Sequence, residues 1–146
     1  MTAVAEQAKL NLLFEQLPDL VGADSDLIRR GRLCNAALEV GVGDTVYYLR
    51  VAAGRVVALE RQPSPARQVS SAQVSPAHHA QFSLHASAET WHKFWMPVPE
   101  PGWHDLSALT KRGAARLDGD ITPYMTHLQF FKDMLATPRR LVRETR

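Results

Sequence analysis

Cysteine is almost absent. Cys34 stands alone in 146 residues, so no disulfide framework can hold the chain and a hydrophobic core must do so. Long apolar runs are missing as well. Stretches such as Leu12 to Phe14 and Val56 to Leu59 fall far short of the roughly 20 residues that cross a bilayer, so no membrane span is expected. Excess charge of one sign is also lacking: 17 Lys and Arg against 15 Asp and Glu leave a net +2, a near balance and not the basic stripe that a nucleic-acid partner requires. No period of roughly 20 to 50 residues repeats, which excludes solenoids and arrays. The first residues carry Glu6 and Lys9 among alanines and no continuous apolar centre, unlike a secretory leader, so the expected compartment is the cytoplasm. What is present is ordinary globular material, 45% apolar and 22% charged. A chain of this length is expected to form a single domain, 1–146, that buries roughly 68 to 70% of its unfolded surface without a metal or cofactor.

Leu10, Leu13, Phe14 and Leu17 recur at helical spacing, which predicts an outer amphipathic helix over 3–17 stopped by Pro18. A shorter helix is predicted from Asp24 or Ser25 to Arg30, closed by Gly31 in a left-handed conformation. The period then changes. Val, Thr and Tyr punctuated by Gly41, Gly43 and Gly54 predict three antiparallel strands at about 33–40, 44–51 and 55–60, with Tyr47, Leu49 and Val51 on one face. Pro63, Pro65 and Pro76 make 61–81 an exposed connection. Phe82, Leu84 and Ala86 alternate with polar residues as a fourth strand, and Ser87 caps a helix on which Ala88, Trp91 and Trp95 share a face. From Met96 to Trp103 three prolines predict an extended strap between two aromatic anchors. Asp105 caps a short helix ended by Gly113, residues 114–118 form a fifth strand, and Pro123 opens a helix that runs to about 136 before Pro138.

That last helix is the most informative element. Projected at about 100° per residue, Phe130, Met134, Phe131, Leu135, Leu128, Tyr124 and Met125 cover an arc of roughly 220°, about twice what a surface helix needs. The surplus must meet another helix, a second subunit or a bound apolar molecule. Simple burial in the core accounts for it equally well.

Three features occur in order: the meander with Tyr47-Tyr48-Leu49-Arg50-Val51 and Gly54-Arg55-Val56; the strand Phe82-Ser83-Leu84 with its aromatic helix; and the closing Gly113, strand, Gly119-Asp120 turn and apolar helix. Over about residues 20–137 this pattern resembles the sterol carrier protein type 2 domain family. The resemblance implies an α+β fold, a five-stranded, largely antiparallel sheet with helices packed on one face, preceded by the N-terminal helix (1–19) and followed by a basic tail (138–146). It also implies a hydrophobic tunnel for sterols or acyl chains, which would bind by removing apolar surface from water at about 25 cal/mol per Å². By that analogy the lining comprises Phe82 and Leu84 from the sheet, Trp91 and Trp95 from the aromatic helix, Trp103 beyond the strap, and Met125, Leu128 and Phe131 from the last helix. The implied partner is a small apolar ligand, with no catalytic group and no cofactor. Two departures stand out: the proline strap falls where the family has helix alone, and Glu144-Thr145-Arg146 is not a peroxisomal address.

Competing chemistry is thinly supported. His78 and His79 are neighbours in the Pro/Ser-rich connection, His85 falls on the wet face of its strand, and His92 lies one turn into its helix. His104-Asp105 is the one close His–carboxylate pairing, yet Asp105 serves as a cap. No HxxxH or HExxH spacing exists, so no metal site is expected. Cys34 has no base nearby in sequence and reads as inert packing. Gly41-Val42-Gly43 lacks the third glycine and following helix of a phosphate loop. The basic tail reads as a solvated charge cluster at a helix end. Two alternatives of other classes remain: a pocket enzyme of the ketosteroid-isomerase kind, and a partner-binding module or homodimer that uses the aromatic surface as an interface.

Overall fold

The computed structural model describes residues 3–62 and 80–144. The chain opens with three helices, α1 (Ala3–Phe14), α2 (Leu17–Gly22) and α3 (Ser25–Arg30). The single helix expected over 3–17 breaks at Glu15 and Gln16. Pro18, expected as its stop, instead sits in the first turn of α2, where a missing N–H forfeits no bond. The Asp24 carboxylate caps α3 by accepting from the Leu27 N–H at 3.0 Å. Gly31 does not take the expected left-handed conformation, having φ −100°. Its missing side chain serves packing, because a Cβ there would lie 2.3 Å from the Phe130 ring.

The predicted meander follows as β1 (Asn35–Val42), β2 (Thr45–Ala52) and β3 (Arg55–Arg61), paired antiparallel in sequence order. Ala53 at φ 52° and Gly54 at φ 81° form the tight β2–β3 turn, whose backbone twist matches that of the strands. Next come β4 (Phe82–Ala86) and β5 (Ala115–Gly119), antiparallel to each other. β4 adds to the other side of β1 and runs parallel to it, from Leu38 opposite Phe82 to Val42 opposite Ala86. The sheet order is β3-β2-β1-β4-β5, with antiparallel pairing everywhere but at that central seam. Most of the connection expected over 61–81 lies outside the described residues.

Leu38, Val40, Val42, Tyr47, Leu49, Val51, Phe82 and Leu84 are all buried on the helix side of the sheet. α4 (Ala88–Phe94) starts on Ser87, whose hydroxyl accepts from the Thr90 N–H at 3.1 Å, and α5 (Leu106–Lys111) starts on Asp105, which accepts from Ser107 at 3.1 Å. The segment between them is not the extended strap expected. Gly102 has φ 87° and the Trp103 N–H reaches the Glu100 carbonyl at 2.9 Å, so Pro101-Gly102 makes a tight turn with proline second and glycine third.

The last helical run is three helices, α6 (Thr122–Thr126), α7 (Leu128–Ala136) and α8 (Pro138–Glu144). The helix expected over 123–136 breaks at His127, whose φ −118° and ψ 40° leave the helical region. Pro138, expected to end the run, begins α8, since Thr137 keeps helical angles (−59°, −33°) and a first-turn proline loses nothing. Another helix covers the surplus apolar face. Phe130 is buried over Gly31, and Arg30 of α3 pairs with Asp133 of α7 at 2.6 Å.

Candidate functional site

Alternation in β4 and the spacing of four between Trp91 and Trp95 bring five of the eight candidate residues into one interior layer. Phe82, Leu84, Trp91, Trp95 and Phe131 are all 2% exposed or less. Leu128 and Trp103 are half-buried at its border. Met125 is 53% exposed and stands apart from the others, while its neighbour Tyr124, about 100° round the same turn of α6, is buried.

The interior rings form two groups. Phe14 links Tyr47 (centroids 4.7 Å apart) to Trp95 (6.2 Å), and Trp95 lies 5.0 Å from Trp91. Phe82 meets Tyr124 at 5.7 Å and Phe131 at 5.6 Å, and those two are 5.8 Å apart. α1, expected as an outer layer, thus sends Phe14 into the centre of the fold. Phe14, Tyr47 and Tyr124 complete the layer beyond the residues expected to line it. Their signal was present: Phe14 belongs to the helical repeat of α1, Tyr47 to the apolar face of β2, and Tyr124 to the apolar arc.

Both buried indoles are tied down. Trp91 Nε1 donates to the Gly41 carbonyl at 2.9 Å, and Trp95 Nε1 donates to the Leu135 carbonyl at 2.8 Å. The second bond serves a carbonyl in the last turn of α7, where no intrahelical donor follows. Tyr47 donates to Glu15 at 2.7 Å, and Arg61 donates to the same carboxylate at 2.5 Å. Burial works to raise the Glu15 pKa, but these two hydrogen bonds outweigh it and hold the carboxyl below its ordinary value. Burial and the neighbouring Glu15 push the Tyr47 phenol well above its own. This network closes one end of a groove of about 320 Å³ between Pro18 and the β3 residues Val56 and Leu59.

Tyr124 differs from the other buried polar side chains. It is 3% exposed, and among the described residues its hydroxyl alone is buried without a hydrogen-bond partner. Burial, with the charge of Asp105, pushes its pKa up to about 12, so the group is a neutral phenol at physiological pH.

Trp103 lies outside the interior, with Lys93 Nζ 4.5 Å and Arg112 Cζ 4.8 Å from its ring centre. The histidines are dispersed. His85 contacts Glu39 at 2.7 Å on the far face of the sheet, and His92 lies 3.6 Å from Glu6. His78 and His79 lie outside the described residues. Asp105 caps α5 and pairs with Lys132 at 3.1 Å. Burial drives the Cys34 thiol up to about 11, which leaves it protonated and unreactive at neutral pH. Among the described residues no three His, Cys, Asp or Glu side chains gather as a metal site, and no helix is long and apolar enough to cross a membrane. In the tail, Arg139 donates to the Phe94 carbonyl at 2.6 Å and Arg140 pairs with Asp24 at 2.7 Å, so both arginines are engaged by the fold itself.

These features define a small α+β domain in which a five-stranded sheet and its helices enclose an aromatic layer. Its fold is that of the sterol carrier protein 2 domain. A crystal structure of sterol carrier protein 2 matches with a TM-score of 0.63 at 17% identity, over 88% of this chain and 94% of that one. A UbiJ-SCP2 ubiquinone synthesis protein matches with a TM-score of 0.53 at 19% identity, over 86% and 87%. The solution structure of a conserved hypothetical protein from Thermus thermophilus matches with a TM-score of 0.56 at 13% identity, over 94% and 87%. Identities of this size show a shared fold. No protein-family model and no curated protein matches the sequence.

Proposed function

We propose that the chain binds one small apolar molecule, a lipid, sterol or related metabolite, between the sheet and the C-terminal helices, and performs no chemistry on it. The observation that supports this reading is the aromatic layer on the helix side of a sterol-carrier-type sheet, where Phe82, Trp91, Trp95 and Phe131 lie in near ring-to-ring contact. Such a layer recognises ligands by area. Withdrawing about 300 Å² of apolar ligand surface at about 25 cal/mol per Å² is worth about 7 kcal/mol before the cost of moving rings aside. The rings pack against one another, so a ligand enters this layer by displacing them. α6, a single turn that ends at the non-helical His127, contributes the buried Tyr124 to that layer. The name of the ubiquinone synthesis neighbour adds prenylated rings to sterols and acyl chains as candidate ligands. The proposed setting is the cytoplasm.

Native mass spectrometry and organic extraction of the purified protein, with tryptophan fluorescence titrations against cholesterol and palmitate, test the reading. The expected result is a co-purifying or titratable ligand, with Leu128→Trp weakening it about tenfold by filling the border of the layer. A protein that carries nothing and whose fluorescence answers to neither compound refutes it.

A second reading has one observation in its favour. Ile121, just before α6, and Met125 within it are 37% and 53% exposed, as a partner-binding or dimer contact would need. Concentration-dependent sedimentation abolished by Met125→Glu, with apolar binding absent, selects it.

A further inference from the structure

Buried polar groups on the helix side of this sheet are paired with consistency. Both indole nitrogens meet carbonyls, the Tyr47 hydroxyl meets Glu15, and the Thr137 hydroxyl donates to the Met134 carbonyl at 2.8 Å. The Tyr124 hydroxyl breaks this pattern among the described residues. An unpaired hydroxyl in such a setting costs free energy that a partner recovers, so its persistence calls for an explanation.

Its setting points to a ligand. The Tyr124 ring packs against Phe82 of β4 and Phe131 of α7, both candidate lining residues, and its hydroxyl is buried with no partner beside them. The element that carries it is one turn long and is separated from α7 by the non-helical angles of His127. Asp105, whose charge reaches the phenol, is already engaged: it accepts from the Ser107 N–H and pairs with Lys132. The negative charge of Asp105 bears on the phenol and opposes its ionisation. The hydroxyl is therefore a neutral donor among apolar rings, where burying an ionised carboxylate is costly.

We propose that Tyr124 supplies the polar contact of the apolar site, and that the ligand it selects is a neutral apolar molecule bearing one hydrogen-bond-accepting oxygen, such as a ketone, quinone, ester or alcohol, in preference to a free carboxylate. This rests on the apolar-ligand reading above and specifies the head group. The binding energy would come from the rings, and Tyr124 would orient the molecule and reject hydrocarbon and anionic analogues.

The test compares the whole chain with Tyr124→Phe, using decan-2-one, undecane and decanoate to displace Nile red at mildly alkaline pH. The variant is expected to bind decan-2-one about 3- to 10-fold more weakly, one neutral hydrogen bond, and undecane as before. Unchanged binding of all three probes overturns the inference and leaves the apolar reading standing. A loss for decanoate as large as that for the ketone overturns the neutral head group. Failure of wild type to bind Nile red or any probe overturns the apolar reading, and this inference with it. Urea denaturation of the ligand-free proteins gives an independent check: the variant is expected to be at least as stable as wild type, and a lower midpoint would show that the hydroxyl is already paired within the fold.

Discussion

Trp95→Phe removes two quantities that the structure allows to be separated. The indole N–H bound to Leu135 at 2.8 Å disappears, leaving a buried carbonyl in the last turn of α7 unpaired at a cost of about 1 to 3 kcal/mol. The smaller ring also leaves about 40 Å³ unfilled, worth about 1 kcal/mol at roughly 24 cal/mol per Å³ if nothing collapses into it. Phe14 and Trp91, 6.2 and 5.0 Å away, are themselves buried and tightly packed, so little relaxation is expected. The sum is about 2 to 4 kcal/mol, a large part of the roughly 5 to 15 kcal/mol that holds a domain together. Urea denaturation followed by far-UV circular dichroism reads it, with the slope of the transition unchanged. A loss below about 0.5 kcal/mol would refute the claim that the indole both fills the interior and serves α7, since neither quantity alone is that small.

Gly31→Ala is expected to cost about 1 to 3 kcal/mol by pressing a methyl group into the Phe130 ring, and adding Phe130→Leu should recover much of it in the same denaturation assay. A strained backbone would give no such rescue, and at φ −100° none is present. Asp24 is held below its ordinary pKa by hydrogen bonds from Arg140 and from the Leu27 N–H. Its contribution is therefore complete above the unfolded value of about 3.9 and is lost as pH falls through the lower folded value. Asp24→Asn, which keeps the cap and loses the charge, should cost up to about 1 kcal/mol at neutral pH, with wild type and variant converging in stability on acidification. Trp103→Leu removes the ring between Lys93 and Arg112 and is expected to cost about 1 to 2 kcal/mol, less at high salt than at low, by thermal denaturation.

Much of this architecture could be read before any coordinates. Alternation placed Tyr47, Leu49, Val51, Phe82 and Leu84 on the buried face, and Ser87 and Asp105 announced their helices, because these signals are local. Signals with two meanings misled. A proline stops a helix or starts one, and Pro18 and Pro138 start them. Proline bias made 96–103 extended, whereas Pro101 followed by Gly102 demands a turn. Gly31 does terminate its helix as expected, but without the left-handed conformation, and what its missing side chain accommodates is Phe130, some hundred residues away and invisible to a local reading. The candidate site was half legible. Helical projection grouped Tyr124 with Met125, but the break at His127 sets α6 apart from α7, and within that single turn Tyr124 faces inward while Met125, about 100° round, is exposed. The unpaired hydroxyl depends on what surrounds it in three dimensions, which no spacing rule encodes.

The parallel seam between β1 and β4 has a consequence for how the domain assembles and opens. β1, β2 and β3 are hairpin neighbours and can zip up early, whereas β4 must be brought home across a long closure: the Ala37 N–H that meets the Gln81 side chain does so over 44 residues of sequence. Phe82, the first residue of β4, is also the wall on which Tyr124 and Phe131 rest. The late-arriving half of the molecule therefore carries one side of the apolar layer. Partial separation along this join would expose that layer while the meander stayed folded, at less than the cost of global unfolding.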